Sequence, residues 1–98
     1  MRERDIENYL REQVKKIGGR AYKFESPGNA GVPDRLILLP RGRVEFVELK
    51  APGKKPTALQ IAQHRKFEKL GQNVLVIDSK EKVDEFIARV GEAECQQP

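Results

Sequence analysis

The run Val44-Glu45-Phe46-Val47-Glu48-Leu49-Lys50 sets a carboxylate and an ammonium two residues apart in a stretch that is otherwise largely apolar. In an extended chain alternate side chains share a face, so Val44, Phe46, Glu48 and Lys50 point one way and Val47 and Leu49 the other. A strand apolar on both faces is buried, and a charge there is costly unless it is paired or bound to metal. Glu48 has the chemistry to bind a divalent cation, while Lys50 on the same face can stabilise a charged transition state or orient attacking water. A plain ion pair at the strand end is the competing role. Asp34 adds a third charged group. It follows Gly31-Val32-Pro33 and leads into a second apolar run, Leu36 to Leu39, where it serves either as a strand-entry residue or as part of the same cluster.

Pro40-Arg41-Gly42-Arg43 separates the two runs and marks an antiparallel hairpin. A two-residue loop would set Asp34 opposite Leu49, on the face away from Glu48. A three-residue loop of Arg41-Gly42-Arg43 pairs Pro40 with Val44, Leu36 with Glu48 and Asp34 with Lys50, and brings Asp34 and Glu48 diagonally together on one face. Two such carboxylates repel, and a bound Mg²⁺ or Mn²⁺ would reverse that repulsion.

The elements that must hold these groups can be read from periodicity. Ile6, Leu10, Val14 and Ile17 predict a first helix over residues 3–17, stopped by Gly18 and Gly19. Glu3 falls on the centre of its apolar stripe and Glu7 about 40° to the side, so either can offer a carboxylate toward the sheet. Residues 21–24 predict a strand and 26–33 a loop. Thr57 caps a second helix reaching Leu70, with Gly71 at its end; Val74 to Ile77 is a strand; Ser79 caps a last helix over Lys80 to Val90, ended by Gly91. The order αβββαβα predicts an α/β fold with one domain over residues 1–91 and a polar tail, 92–98, expected to be disordered. On the second helix Leu59, Ala62, Lys66 and Leu70 form the expected inward stripe and Ile61 faces outward. Gln60, near its start, can donate to a phosphate or a carboxylate. His64, the only histidine, supports neither a zinc site nor a triad and is expected on the helix surface.

Charge and composition narrow the partners. The 98 residues carry a net charge of +4, but residues 35–69 alone carry +6, whereas 1–34 carry +1 and 70–98 carry −3. Such a field attracts a polyanion, and Arg35, Lys54, Lys55 and Arg65 are candidate contacts to a DNA backbone. No apolar run is long enough to span a membrane, and the charged N-terminus is no secretory signal, so a soluble cytoplasmic protein is expected. The single cysteine, Cys95, can make neither an internal disulfide nor a cysteine-rich zinc site.

Gly31-Val32-Pro33-Asp34, Val47-Glu48-Leu49-Lys50 and Gln60, with a glutamate on the preceding helix, resemble the PD-(D/E)xK nuclease superfamily, and more narrowly its virus-type replication-repair nuclease (VRR-NUC) domain, over residues 2–78. The resemblance implies a restriction-endonuclease-like core, a mixed β-sheet flanked by helices, that hydrolyses DNA phosphodiesters with Mg²⁺ or Mn²⁺. It implies Asp34, Glu48 and the Leu49 carbonyl as metal ligands, Lys50 as the catalytic lysine, Glu3 or Glu7 as the helix carboxylate and Gln60 as the supporting glutamine. An isolated domain of this kind resembles phage enzymes that act on branched DNA. The expectation is therefore a structure-selective endonuclease of a bacterial or phage-infected cell, a homodimer that cuts four-way (Holliday) junctions by paired nicks. A flap- or end-directed nuclease and a non-catalytic DNA-binding module on the same fold are the alternatives.

Overall fold

A computed structural model describes the backbone of residues 1–95 and the side chains of residues 1–91. The elements follow the predicted order: α1 (Glu3–Lys16), β1 (Arg20–Lys23), β2 (Arg35–Leu39), β3 (Arg43–Leu49), α2 (Ala58–Lys69), β4 (Val74–Ile77) and α3 (Lys80–Cys95). They form a mixed four-stranded sheet of order β1-β2-β3-β4, antiparallel except for the parallel β3–β4 pair. The two strands that bear the charged cluster are thus the central ones.

Stability comes mainly from one face of that sheet. Ile37, Leu39, Val47, Leu49 and Ile77 pack beneath α1 and α3, which contribute Ile6, Leu10, Val14, Val83, Phe86 and Val90 at helical spacing. Glu45 is buried on this face too, and its carboxylate is satisfied by Arg89 at 3.0 Å and Asn73 at 3.1 Å. On the opposite face α2 is held by three aromatic rings packed edge to face: Phe24 on Phe46 at 5.7 Å, Phe46 on Phe67 at 4.9 Å and Phe24 on Phe67 at 6.4 Å.

Three local expectations are corrected. The β2–β3 loop has three residues, but they are Pro40-Arg41-Gly42, with Leu39 opposite Arg43; Arg41 and Gly42 both take positive φ, 65° and 73°, which closes the turn one residue earlier. Gly91 does not end α3. The helix passes through it to Cys95, because a glycine costs an α-helix only about 1 kcal/mol and the good helix formers Glu92, Ala93 and Glu94 follow. Residues 92–95 are therefore helical rather than a disordered tail, and the rest of that expected tail, 96–98, lies outside the described residues.

The third correction concerns α2. Leu59 and Leu70, expected to face inward, are 57% and 81% exposed, and the buried side is formed by Gln60, His64 and Phe67. At 100° per residue the helix is turned by roughly a third of a circle from the orientation its apolar stripe suggests. Ile61 faces outward as expected, 40% exposed.

Candidate active site

The slipped hairpin strengthens the cluster. Continuing the register from Arg35↔Val47 sets Asp34 directly opposite Glu48 instead of Lys50, so the two carboxylates are cross-strand neighbours on the α2 face. Asp34 is clamped from both sides. Its carbonyl accepts a hydrogen bond from the Phe24 amide at 2.8 Å, and its Oδ1 accepts one from the Leu49 amide at 3.1 Å. The approach to Asp34 is fixed by Gly31, whose φ is +92° and whose missing Cβ would lie 2.9 Å from the Leu59 carbonyl oxygen. Only glycine permits both that conformation and that closeness to α2.

Glu48 is 3% exposed and is held by two α2 side chains one turn apart. Gln60 Nε2 donates to Glu48 Oε2 at 3.2 Å, and His64 Nε2 lies 3.4 Å from Glu48 Oε1. The amide of Gln60 has no freedom to flip. Its Oε1 accepts the Thr57 backbone N–H at 2.9 Å while its own backbone N–H donates to Thr57 Oγ1 at 3.2 Å, a reciprocal cap that turns the NH₂ group toward Glu48. Burial lowers the pKa of His64, so the ring is neutral near pH 7, and its tautomer with the proton on Nε2 is the one that can donate to the carboxylate. His64, expected on the surface, is thus part of the site. The signal for it was present: Gln60 and His64 are four residues apart and share a helix face.

Burial, and then the neighbouring charge of Glu48, push the Asp34 carboxyl up to about 7, with Glu3 adding to the effect; burial likewise raises Glu48, while Lys50 opposes that rise. Near neutral pH the bare pair therefore tends to share a proton, which a hard divalent cation can replace. The donor set of two carboxylates beside a backbone carbonyl is all oxygen and fits Mg²⁺ or Mn²⁺, cations that complete their coordination with water and phosphate oxygens. Among the described residues no group of three or more His, Cys, Asp or Glu forms a ready-made metal cage, in keeping with so open a set.

Of the two helix glutamates, Glu3 is exposed at the start of α1 and its charge acts on both Asp34 and Glu48. Glu7 is ion-paired to Arg35. That pairing places two of the candidate residues together. Arg35 follows Asp34 by one residue and so points to the opposite face, where its side chain is 12% exposed, bound to Glu7 and donating to the Asp34 carbonyl at 2.8 Å. It ties α1 to β2, with its guanidinium also 4.0 Å from Asp34 Oδ1. Lys50 is half-buried just beyond β3, on the face of Glu48, with its amide anchored to the Ile77 carbonyl at 3.0 Å. Lys54, Lys55 and Arg65 are exposed, as backbone-phosphate contacts must be.

No family profile matches the chain. A phage protein named "Putative nuclease p44", from Acyrthosiphon pisum secondary endosymbiont phage 1, is 54% identical over 81 residues, covering 83% of this chain and 87% of that one. A solved structure described as "VRR_NUC domain" matches with a TM-score of 0.82 and 38% identity over 88% of this chain and 94% of its own. Likeness at this level of sequence and fold, over nearly the whole of both chains, shows that this protein belongs to the VRR-NUC family of nucleases.

Proposed function

We propose that the protein is a Mg²⁺- or Mn²⁺-dependent DNA endonuclease selective for branched substrates, four-way junctions above all, and that it acts as a homodimer in the cytoplasm of a bacterial or phage-infected cell. The observation that carries the metal-dependent reading is the buried cross-strand pair Asp34–Glu48, with Lys50 on the same face. Asp34, Glu48 and the Leu49 carbonyl would hold the cation, with the charge of Glu3 adding to the field that attracts it. A cation there would neutralise phosphate charge and lower the pKa of a bound water. Lys50 stabilises the charge that develops on the phosphate in the transition state. Gln60 and His64 fix the orientation of Glu48, and Lys54, Lys55 and Arg65 engage the backbone on either side.

Dimerisation is supported by the stripe that α2 turns to solvent. Leu59, Ala62 and Leu70 are exposed along one side of the helix, with Ile61 also exposed. Burying an apolar side that the fold leaves uncovered is what a second copy can do, and a two-fold axis would supply the two sites that paired cuts in opposed strands require. A cleavage assay over linear, flap, fork and four-way junction DNA, with and without Mg²⁺ or Mn²⁺, tests the proposal beside light scattering at micromolar concentration. The expected result is metal-dependent, symmetric nicking of junctions by a dimer. A monomer that nicks flaps or ends and spares junctions would overturn the substrate and the dimer together, and DNA binding without cleavage would favour the non-catalytic module.

A further inference from the structure

Several cations outside the site have an acidic partner. Lys23 pairs with Glu25, Arg35 with Glu7, Lys82 with Asp78 and Arg89 with Glu45. Arg11, Lys15 and Arg20 are gathered in one place: together with Glu12 and Ala21 they line one hollow between the C-terminal half of α1 and the edge strand β1, and among the described residues none of the three makes an ion pair or a side-chain hydrogen bond. Arg11 and Lys15 are also spaced i, i+4 on the helix, where like charges disfavour the fold. Lys15 lies in the last turn of α1 and suits its dipole, but neither Arg11 nor Arg20 has such a reason to be there. Three positive groups against the one carboxylate of Glu12 leave the hollow net positive, a surface suited to an anion.

The hollow is remote from the carboxylate pair. Along α1, Lys15 is about 18 Å from Glu3; along β2, Leu38, the partner of Arg20, is about 13 Å from Asp34. These separations correspond to about four to five base-pair steps of DNA at 3.4 Å each. Resting on the reading of the protein as a DNA nuclease, we propose that Arg11, Lys15 and Arg20 form a second phosphate-binding site, which holds the DNA backbone about half a helical turn away from the phosphate presented to Asp34 and Glu48. The backbone it grips belongs either to the continuing duplex or to another arm of a junction, and binding both points at once sets the angle at which DNA enters the cleavage centre.

The test compares wild type with the triple variant Arg11→Gln, Lys15→Gln, Arg20→Gln, which removes charge and keeps chain length. Lys23→Gln, Lys80→Gln, Lys82→Gln serves as a control with the same change in net charge. Affinity for fluorescent four-way junction and linear duplex DNA is measured by anisotropy across a salt series, and cleavage is measured at saturating DNA. The expected result is a loss of about 10- to 100-fold in affinity and a salt-dependence slope reduced by about 2 to 3, since each lost phosphate contact removes about 0.9. Saturating turnover is expected to stay within about twofold of wild type and the control to lose much less affinity. Loss on both DNAs assigns the grip to the continuing duplex, and loss on the junction alone assigns it to a second arm. Unchanged affinity and slope, or an equal loss in the control, would overturn the proposal, and Arg20→Gln alone answers the same question if the triple variant melts early. Were wild type to cleave DNA while the triple variant bound it normally, only the second site would fall; were wild type neither to bind nor to cleave DNA, both readings would.

Discussion

Asp34→Asn separates what the active site needs from what the fold prefers. An unfolded Asp34 ionises near 3.8, whereas the folded residue retains its proton up to about 7. Across that window the metal-free folded state binds more protons than the unfolded state, so its stability falls as pH rises from about 4 to about 7 and levels off above. At 1.36 kcal/mol per tenfold, the full difference is about 4 kcal/mol; the Asp34 side chain is 31% exposed, and solvent screening reduces the effect to about 2 kcal/mol. Asparagine keeps an Oδ1 to accept the Leu49 amide and offers an N–H to Glu48 where the aspartate offers a second negative charge. The variant should therefore be more stable than wild type by about 2 kcal/mol at pH 7.5, a rise in Tm of about 8 to 16 °C for a domain of this size, with no gain at pH 4. Circular dichroism melts in EDTA from pH 4 to 8 measure this directly. Mn²⁺ should then raise the Tm of wild type and leave the variant unmoved, and the variant should not cleave. Parallel melting curves for the two proteins across the whole pH range, or a variant less stable at pH 7.5, would refute the claim that the pair is electrostatically strained.

Lys50→Ala should lower turnover by about 10²-fold or more and leave DNA affinity within about threefold, since one ammonium among many adds little to binding; near wild-type turnover would reduce it to a structural pair. His64→Ala should weaken Mn²⁺ binding, read by calorimetry, by about 10-fold, the scale of lost support to a metal ligand, and unchanged affinity would remove His64 from the site. Thr57→Ala should destabilise the fold by about 1 kcal/mol in urea unfolding and leave turnover at saturating DNA near wild type, because it uncaps α2 while the Thr57 backbone N–H still holds Gln60 Oε1; slowed turnover would break that link. Leu70→Glu, at a position 81% exposed, should dissociate the dimer in light scattering and change the melting of the monomer by no more than about 0.5 kcal/mol.

The sequence made the chemistry legible wherever one rule acted alone. Strand alternation places Glu48 and Lys50 together, and a three-residue loop brings Asp34 to their face whichever three residues form it, because a slip of the closing pair from Pro40–Val44 to Leu39–Arg43 moves the register by two and preserves facing. The same alternation, carried one residue further, also turns Arg35 toward α1 and Glu7. What the slip decides is distance, and that depends on Arg41 taking a positive φ, which its residue type does not advertise. The rotation of α2 was hidden for a different reason. Reading an apolar stripe as the inward one assumes that the helix covers a hydrophobic surface, whereas half of what α2 covers is a carboxylate.

That exception is built into the division of the sheet. The face under α1 and α3 gathers all but a few of the fully buried apolar side chains, so most of the apolar burial that stabilises the fold lies away from α2. The other face is then free to bury two acids, provided that something neutral and hydrogen-bonding is laid over them. A helix presenting Leu59 and Leu70 there would leave Glu48 with no donor, which costs more than exposing two leucines to water. Gln60 and His64 face inward for that reason, and Phe67, one turn on, anchors the helix against Phe46 and Phe24. The leucines left outside are the direct consequence, so the need to hold Glu48 in place also creates the apolar surface on which a second copy can dock.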